Sequence, residues 1–186
     1  MNTATVSRGK TYDIVYIGIF AVLLAVCSWI SLPFAVPFTL QTFGVFMTLE
    51  TLGGKRGTMA ILVFLLMGLV GLPVFSGFRG GPGVLAGTTG GYIVGFVLTG
   101  FLVWGMEKLL GEKWKKSVVR ICVMLLGLIL CYAFGTLWFL KVYSAANGAV
   151  GIGAVLGWCV FPFVLPDLVK LGLAFVLARR GKRYVM

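Results

Sequence analysis

The chain has no histidine and only five acidic residues, so the usual groups for acid–base and metal chemistry are scarce. The acidic residues are Asp13, Glu50, Glu107, Glu112 and Asp167. Hydrolases and phosphotransferases normally need a histidine or carboxylate cluster, or a nucleophile beside a base. The sequence also lacks a GxxxxGK[ST] phosphate loop. We therefore expect no catalytic residue, no metal site and no ATP hydrolysis in this chain.

Paired cysteines are lacking as well. The four cysteines lie in apolar runs and form no CxxC pair: Cys27, Cys122, Cys131 and Cys159. Thiols in such surroundings pack as small apolar side chains. We expect neither a disulfide nor a metal role for them.

Long polar stretches are rare, because 60% of the 186 residues are hydrophobic and the mean hydropathy is +1.05. A membrane-spanning helix needs about 20 apolar residues. Six runs approach or exceed that length: 13–31, 38–53, 57–72, 84–105, 118–140 and 149–178. They are continuous and lack the alternation of a membrane β-barrel. The sequence predicts one domain over 1–186, an all-α integral membrane protein with a six-transmembrane-helix bundle.

Positive charge follows a strict alternation along the chain. Thirteen of the 16 Lys and Arg residues lie at the two ends and in alternate connections: Arg8, Lys10, Lys55, Arg56, Lys108, Lys113, Lys115, Lys116, Arg120, Arg179, Arg180, Lys182 and Arg183. The opposite connections hold only Arg79 and Lys141. The positive-inside rule then places both termini in the cytoplasm. The net charge of +11 is a topology signal in a lipid bilayer, and we expect no nucleic-acid partner.

Asp167 and Lys170 are the charged pair within the last run. Their i, i+3 spacing puts them on one helix face. They precede Arg179 by twelve and nine residues, which is roughly 18 and 14 Å of helix. Charges at that depth cost at least about 2.5 kcal/mol each unless they pair or face a cavity. Two interpretations stay open: a polar anchor for a solute, and an ion pair that only staples the bundle.

Neutral candidates accompany this pair. Thr39 and Gln41 open the second run, and the Gln41 amide can both donate and accept hydrogen bonds. Tyr132 and Trp138 in the fifth run are weaker candidates, since aromatic residues in membrane helices are mostly core or interface residues.

Glycine marks two further regions. The connection over 71–83 contains five glycines, two prolines and Arg79, which is typical of a loop that exposes its backbone. Gly83, Gly87, Gly91 and Gly95 recur every four residues, which favours close packing of two membrane helices, above all at Gly95. The alternative is that a bound ligand fills the same groove at its outer end, around Gly87 to Gly91. Gly18, Ala21 and Ala25 form another small-residue face, which either packs internally or docks on another membrane protein.

Four short motifs, in the same order, resemble those of the biotin-specific S components (BioY family) of energy-coupling factor transporters. They are Val36-Pro37-Phe38-Thr39-Leu40-Gln41-Thr42, Gly71-Leu72-Pro73-Val74-Phe75, Gly87-Thr88-Thr89-Gly90-Gly91-Tyr92 and Pro166-Asp167-Leu168-Val169-Lys170. One departure is Thr88, where the family commonly has proline. With the hydropathy between them, the motifs cover nearly the whole chain.

The resemblance implies a six-helix subunit in a prokaryotic plasma membrane, with both termini cytoplasmic and biotin as ligand, without a cofactor. It implies an outward-facing site near the residues Thr39, Gln41, Arg79, Gly90, Gly91, Tyr92, Asp167 and Lys170. Lys170 is expected near the carboxylate, while Asp167 and Gln41 are expected near the ureido ring. Which end of biotin meets Lys170 stays open.

Partners also follow from the resemblance. The family assembles with a transmembrane coupling subunit and two ATPase subunits. Its Ala-x-x-x-Ala docking motif is matched by Ala21 and Ala25, which favours an outward face there. Two alternatives remain: an S component or solo carrier for another small vitamin, and a membrane assembly protein without transport activity.

Overall fold

The computed structural model describes residues 3–32 and 37–185, with side chains over 9–32 and 37–181. It is helical apart from two short strands. In chain order the elements are α1 (Thr3–Trp29), β1 (Ser31–Leu32), β2 (Phe38–Thr39), α2 (Gln41–Leu69), α3 (Pro82–Ala86), α4 (Gly90–Leu110), a 3-10 helix (Gly111–Lys115), α5 (Ser117–Asn147), α6 (Ile152–Cys159) and α7 (Phe161–Val185).

Five stretches are long and apolar enough to cross a membrane: Gly9–Trp29, Gln41–Leu69, Gly90–Lys115, Ser117–Asn147 and Ile152–Gly181. The predicted all-α membrane protein is thereby confirmed at the level of fold class. The count differs from six because α2 contains both the second and the third apolar run.

Helix α2 is interrupted at Gly53, where φ is +77°. Only glycine adopts such a conformation at little cost. A Cβ placed on Gly57 would lie 3.1 Å from the Cα of Leu49. In a straight helix, eight residues separate two such positions by about 12 Å. The chain therefore folds back on itself at Gly53.

Two predicted runs are broken where the sequence analysis expected continuous helices. Helix α4 begins at Gly90, after the short helix α3, and Gly87 between them has extended backbone angles. The last run divides at Val160, whose φ of −123° and ψ of −60° end α6. Pro162 follows that break, where a residue without an N–H is tolerated in the first turn of α7.

The glycines of α4 allow it to pack closely on α5. A Cβ at Gly95 would lie 2.8 Å from Cys131 Sγ, and one at Gly91 would overlap Trp138. This confirms the helix-packing role predicted for Gly95, and Gly91 packs on α5 in the same way. A Cβ placed on Gly83 would meet no atom within 4 Å, and Gly83 lies in α3. The four glycines therefore do not form one continuous groove.

Ala21 and Ala25 are 1% and 3% exposed and belong to the core. The outward orientation predicted for this pair is therefore wrong in this structure. Helix α1 packs against α2, and the small side chains allow that close approach. The open side of α1 instead carries Gly18 and Val22.

The end of the bundle that carries β1 and β2 is called the hairpin end below. The two strands pair antiparallel, with Ser31 opposite Thr39. Trp29 Nε1 donates a hydrogen bond to the Pro73 carbonyl at 2.8 Å, and its ring stacks on Phe78 at 5.1 Å. The 71–83 connection is thus fastened to the end of α1. Residues 33–36 of the first connection lie outside the described residues.

Phe75 also anchors the 71–83 connection to the bundle. This side chain is 1% exposed and sits so close to Gly68 that a Cβ there would overlap its ring. Backbone hydrogen bonds join Phe75 and Arg79 in both directions, and Gly81 N–H donates to the Gly68 carbonyl at 2.7 Å. The 71–83 connection is therefore tightly held where it meets the bundle.

Candidate functional site

A cavity opens at the hairpin end, with about 700 Å³ of empty space when its open mouth is counted. Its wall combines the hairpin, the start of α2, the 71–83 connection and residues of helices α3 to α7. The lining residues are Pro37, Thr39, Gln41, Thr42, Phe75, Ser76, Arg79, Val84, Thr89, Tyr92, Ile93, Phe96, Cys131, Tyr132, Cys159, Phe163, Asp167 and Lys170.

Asp167 and Lys170 lie in this wall and are 2% and 6% exposed. Lys170 Nζ donates to Asp167 Oδ1 at 2.8 Å and to the Thr39 carbonyl at 2.7 Å, and it lies 3.2 Å from Thr42 Oγ1. It also sits 4.2 Å from the centre of the Phe38 ring. Three N–H donors meet three acceptors, so the ammonium group has no donor left over.

The Asp167 carboxylate accepts hydrogen bonds from three side chains. Thr42 Oγ1 donates to Oδ1 at 2.8 Å, beside the bond from Lys170. Tyr132 donates to Oδ2 at 2.6 Å from α5. A carboxylate offers about four acceptor positions. Oδ2 therefore keeps one acceptor position for a further donor.

Gln41 carries the unsatisfied polar group of the cavity wall. Its side chain is 6% exposed, and Nε2 has no hydrogen-bond partner among the described residues. A buried donor without a partner costs about 1–3 kcal/mol. A donor of this kind is available to a ligand in the cavity.

The rest of the wall is mostly apolar and includes five aromatic residues. The ring-bearing residues are Phe75, Tyr92, Phe96, Tyr132 and Phe163. Phe163 also stacks on Phe38 of the hairpin at 5.8 Å, which places the hairpin over this side of the cavity. The combination of apolar walls with a few polar groups is typical of small-molecule sites.

Arg79 lies at the mouth of the cavity. Its side chain is exposed, and Nε donates to the Ser76 carbonyl at 3.1 Å. Arg79 also lines an adjoining, more polar pocket together with Gly80, Gly83 and Gly87. The entrance therefore carries the positive charge of Arg79. Deeper in the cavity, the charges of Asp167 and Lys170 neutralise each other.

The structure brings Thr39, Gln41, Arg79, Tyr92, Asp167 and Lys170 to one cavity, as their spacing and motifs suggested. Gly90 and Gly91 are described by the structure, but they do not line this cavity. Both lie where a side chain would overlap a neighbour, Leu85 for Gly90 and Trp138 for Gly91. Their observed contacts are with the protein itself.

The sequence makes Tyr132 a weaker candidate, does not mark Phe163, and predicts only apolar packing for Cys131 and Cys159, yet all four line the cavity. No local pattern distinguishes an aromatic residue that faces a cavity from one that faces lipid. Among the residues that the structure describes, no group of three or more His, Cys, Asp or Glu side chains could hold a metal ion.

Comparison with known proteins gives a consistent result over the full length. The family model described as the BioY family matches residues 1–186. The biotin transporter BioY of Thermotoga maritima is 41% identical, covering 89% of this chain and 93% of that protein. Biotin transporter BioY2 of Lactococcus lactis is 33% identical, covering 91% of this chain and 92% of its relative.

A solved structure agrees with the sequence relatives. The crystal structure of the S-component for biotin from an ECF-type ABC transporter has a TM-score of 0.81 and 26% identity to this chain. The match covers 98% of this chain and 95% of that one. The family model and the relatives cover nearly the whole chain, and the chain therefore belongs to the BioY family.

Proposed function

We propose that this chain is the substrate-binding membrane subunit, or S component, of an ATP-driven importer of the energy-coupling factor type, and that it binds biotin. The relatives named as biotin transporters support the ligand. The observation that carries the proposal is the Gln41 amide, a buried donor beside a cavity that has no partner among the residues the structure describes. An ion pair that only stapled the bundle would not require such a vacant donor next to it.

The free hydrogen-bonding positions of the site suit a cyclic urea. Biotin has a ureido ring with two N–H donors and one carbonyl acceptor. The spare acceptor position on Asp167 Oδ2 takes one N–H, and Gln41 Nε2 donates to the carbonyl. Lys170 compensates the charge of Asp167, and its donors are already engaged, so it does not hold the ligand carboxylate.

The carboxylate of biotin then lies at the mouth, near Arg79. The valeryl chain is flexible and long enough to separate the two polar ends of the molecule. Phe75, Phe96 and Phe163 line the cavity between these groups and suit the apolar thiophane ring. This orientation keeps the carboxylate hydrated while the ring is buried, which avoids the large cost of burying an unpaired charge.

We also propose six membrane crossings, with both termini in the cytoplasm. Each half of α2 counts as one crossing because the chain folds back at Gly53. Arg56 pairs with Asp13 at 2.9 Å, at the end of the bundle away from the hairpin. Basic residues concentrate at that end, which supports its cytoplasmic location. The cavity then opens on the outer side.

The transport partners are a transmembrane coupling subunit and two ATPase subunits. The neighbouring structure comes from an ECF-type ABC transporter, which supports this assembly. Since Ala21 and Ala25 are buried, we assign the coupling contact to the open side of α1 at Gly18 and Val22. Gly18→Trp should then reduce recovery of the coupling subunit in co-purification, while biotin binding is retained.

Titration calorimetry of the purified chain tests the ligand. Biotin should bind, and thiamine and riboflavin should not displace it. Gln41→Met removes the vacant donor while keeping the side-chain length, and should weaken biotin binding about tenfold, equivalent to about 1.4 kcal/mol. Asn147→Ala, at the exposed end of α5, is a matched polar control that should bind like the parent chain.

Two results would contradict the proposal. Binding of another vitamin in preference to biotin would indicate an S component or carrier of different specificity. Absence of any bound vitamin, both in titration and in mass spectra of the freshly purified protein, would indicate an assembly protein with a structural ion pair.

A further inference from the structure

A second pocket, called the outer pocket below, adjoins the ligand cavity at its mouth. The two spaces meet there, because four residues line both of them: Pro37, Arg79, Val84 and Thr89. The other residues that line the outer pocket are Gly80, Gly83, Gly87 and Thr88. It contains about 920 Å³ of empty space when its open side is counted. A space of this size holds a small molecule or a large part of one.

Contacts with the bundle fix the walls of the outer pocket. Trp138 Nε1 donates a hydrogen bond to the Gly87 carbonyl at 2.9 Å. The Phe75 N–H donates to the Arg79 carbonyl at 2.9 Å, and the Arg79 N–H donates back at 3.3 Å. Phe75 is itself buried against Gly68. The outer pocket is therefore preformed, as ligand sites usually are.

Among the described residues, the wall of the outer pocket contains one cation and no carboxylate. Arg79 Nε donates to the Ser76 carbonyl, but the terminal nitrogens of Arg79 have no partner in the described part of the chain. Thr88 and Thr89 add two hydroxyls to the wall. A guanidinium binds a carboxylate through two parallel hydrogen bonds. The outer pocket thus suits a polar ligand group that carries a carboxylate.

Biotin in the proposed orientation fills only the inner of the two spaces. Its ureido ring lies at Gln41 and Asp167, and its carboxylate ends at the mouth beside Arg79. The outer pocket begins at that point, so biotin leaves the wall at Gly83 and Gly87 without a contact. A group joined to the biotin carboxylate through an amide would continue along this wall. The amide is neutral, and a carboxylate further along the extension would restore the pairing with Arg79.

We propose that the site also takes amides of biotin with amino acids, an inference that rests on the proposed biotin function. The amino-acid part lies in the outer pocket, and its carboxylate pairs with Arg79. The ureido and thiophane rings are unchanged in such an amide, so their contacts in the ligand cavity stay the same. A Cβ placed on Gly83 would meet no atom within 4 Å, so the protein leaves the space beside this residue open for the extension.

Competition titration against biotin tests the ligand class with two conjugates of nearly equal length. One is biotin joined through an amide to 6-aminohexanoic acid, and the other is the uncharged methyl amide of that compound. The acid conjugate should bind the parent chain within about tenfold of biotin. The neutral conjugate should bind about tenfold more weakly than the acid, because it lacks the charge-assisted hydrogen bonds to Arg79.

A variant of Gly83 tests where the extension lies, because Gly83 lines the outer pocket and not the ligand cavity. Gly83→Trp should weaken binding of the acid conjugate at least about tenfold and leave the affinity for biotin unchanged. Gly153→Trp is the matched control. Gly153 in α6 is also exposed, its Cβ position has no atom within 4 Å, and it lines neither space. That variant should bind both ligands like the parent chain.

Four results would overturn the inference while biotin binding stands. They are an acid conjugate that binds more than about tenfold more weakly than biotin, equal affinities for the acid and neutral conjugates, equal effects of Gly83→Trp and Gly153→Trp on the acid conjugate, and an equal loss of biotin and acid conjugate in Gly83→Trp. A parent chain that binds neither biotin nor the conjugates would contradict the proposed function itself.

Discussion

Tyr132 donates a 2.6 Å hydrogen bond to Asp167 Oδ2, while Lys170 approaches the other oxygen, Oδ1, at 2.8 Å. The two oxygens of one buried carboxylate are thus held from different helices, Oδ2 from α5 and Oδ1 from both α2, through Thr42, and α7 itself. Hydrogen bonds to a charged group are among the strong ones in proteins. The carboxylate consequently has one defined orientation towards the cavity.

Removing the Tyr132 hydroxyl should loosen that orientation. We expect Tyr132→Phe to weaken biotin binding about tenfold, or about 1.4 kcal/mol, because Asp167 Oδ2 loses the donor that positions it. Calorimetric titration measures the change. Tyr143→Phe is the matched control, since that ring stacks on Phe139 without a described hydroxyl bond, and its affinity should be unchanged. Equal affinities for all three proteins would show that Tyr132 does not position the carboxylate.

The buried ion pair predicts a separation between stability and binding. Lys170→Met leaves the Asp167 carboxylate buried without its cation, and we expect a loss of about 3–5 kcal/mol in the free energy of unfolding. Asp167→Asn/Lys170→Met removes both charges and should recover most of that loss, as judged by thermal unfolding in detergent. Biotin binding should be weak in the double variant even though its stability is largely restored. A double variant that binds biotin like the parent chain would make the pair purely structural.

The fold-back in α2 is held by a carboxylate from α4. Glu107 Oε2 accepts a 2.6 Å hydrogen bond from the Gly54 N–H, directly after the break at Gly53. A carboxylate at the start of a helix satisfies an unpaired N–H and complements the helix dipole. We expect Glu107→Ala to destabilise the protein by about 1–2 kcal/mol in denaturant unfolding.

Glu112 supplies the control for that experiment. It lies on the 3-10 helix and pairs with Lys115 at an exposed position. Exposed ion pairs contribute little, so Glu112→Ala should change the unfolding free energy by less than about 1 kcal/mol. If the two variants unfolded alike, the hydrogen bond from Gly54 would not hold the fold-back.

Helix α4 offers a matched pair of glycines. Gly91→Ala would force a methyl group into Trp138, whose Nε1 donates to the Gly87 carbonyl at 2.9 Å. We expect a loss of about 1–3 kcal/mol in thermal or denaturant unfolding, because overpacking displaces the neighbouring helix. Gly105→Ala meets no atom within 4 Å and should be neutral or slightly stabilising. A Gly91→Ala protein as stable as the parent chain would contradict the packing described for α4 and α5.

Much of the site was predictable because its residues are unusual in hydrocarbon. Asp167 and Lys170 are charges within an apolar run, and such groups must pair or line a cavity. The structure shows both at once, a close ion pair in a cavity wall. The spacing of the two residues could not distinguish these outcomes, since either one needs the same helix face.

Other features depend on which surfaces meet. The Ala21 and Ala25 face is equally suited to internal packing and to docking, and only the position of α2 shows that it is buried. Gly90 and Gly91 carry no side chain, so their sequence cannot reveal that Leu85 and Trp138 occupy the space beside them. Tyr132 gave no signal along the chain, because its partner is 35 residues away.

The sequence by itself determined that the protein lies in a membrane, that it is helical, and which polar residues must find partners. The reason is that hydrocarbon penalises every unpaired polar group, whatever its neighbours are. The tertiary structure decided which helices close around those residues. It also decided that Asp167 is held from both sides, and that the Gln41 donor finds no partner in the described part of the chain. These outcomes depend on contacts between distant segments, and such contacts exist only after the helices have packed.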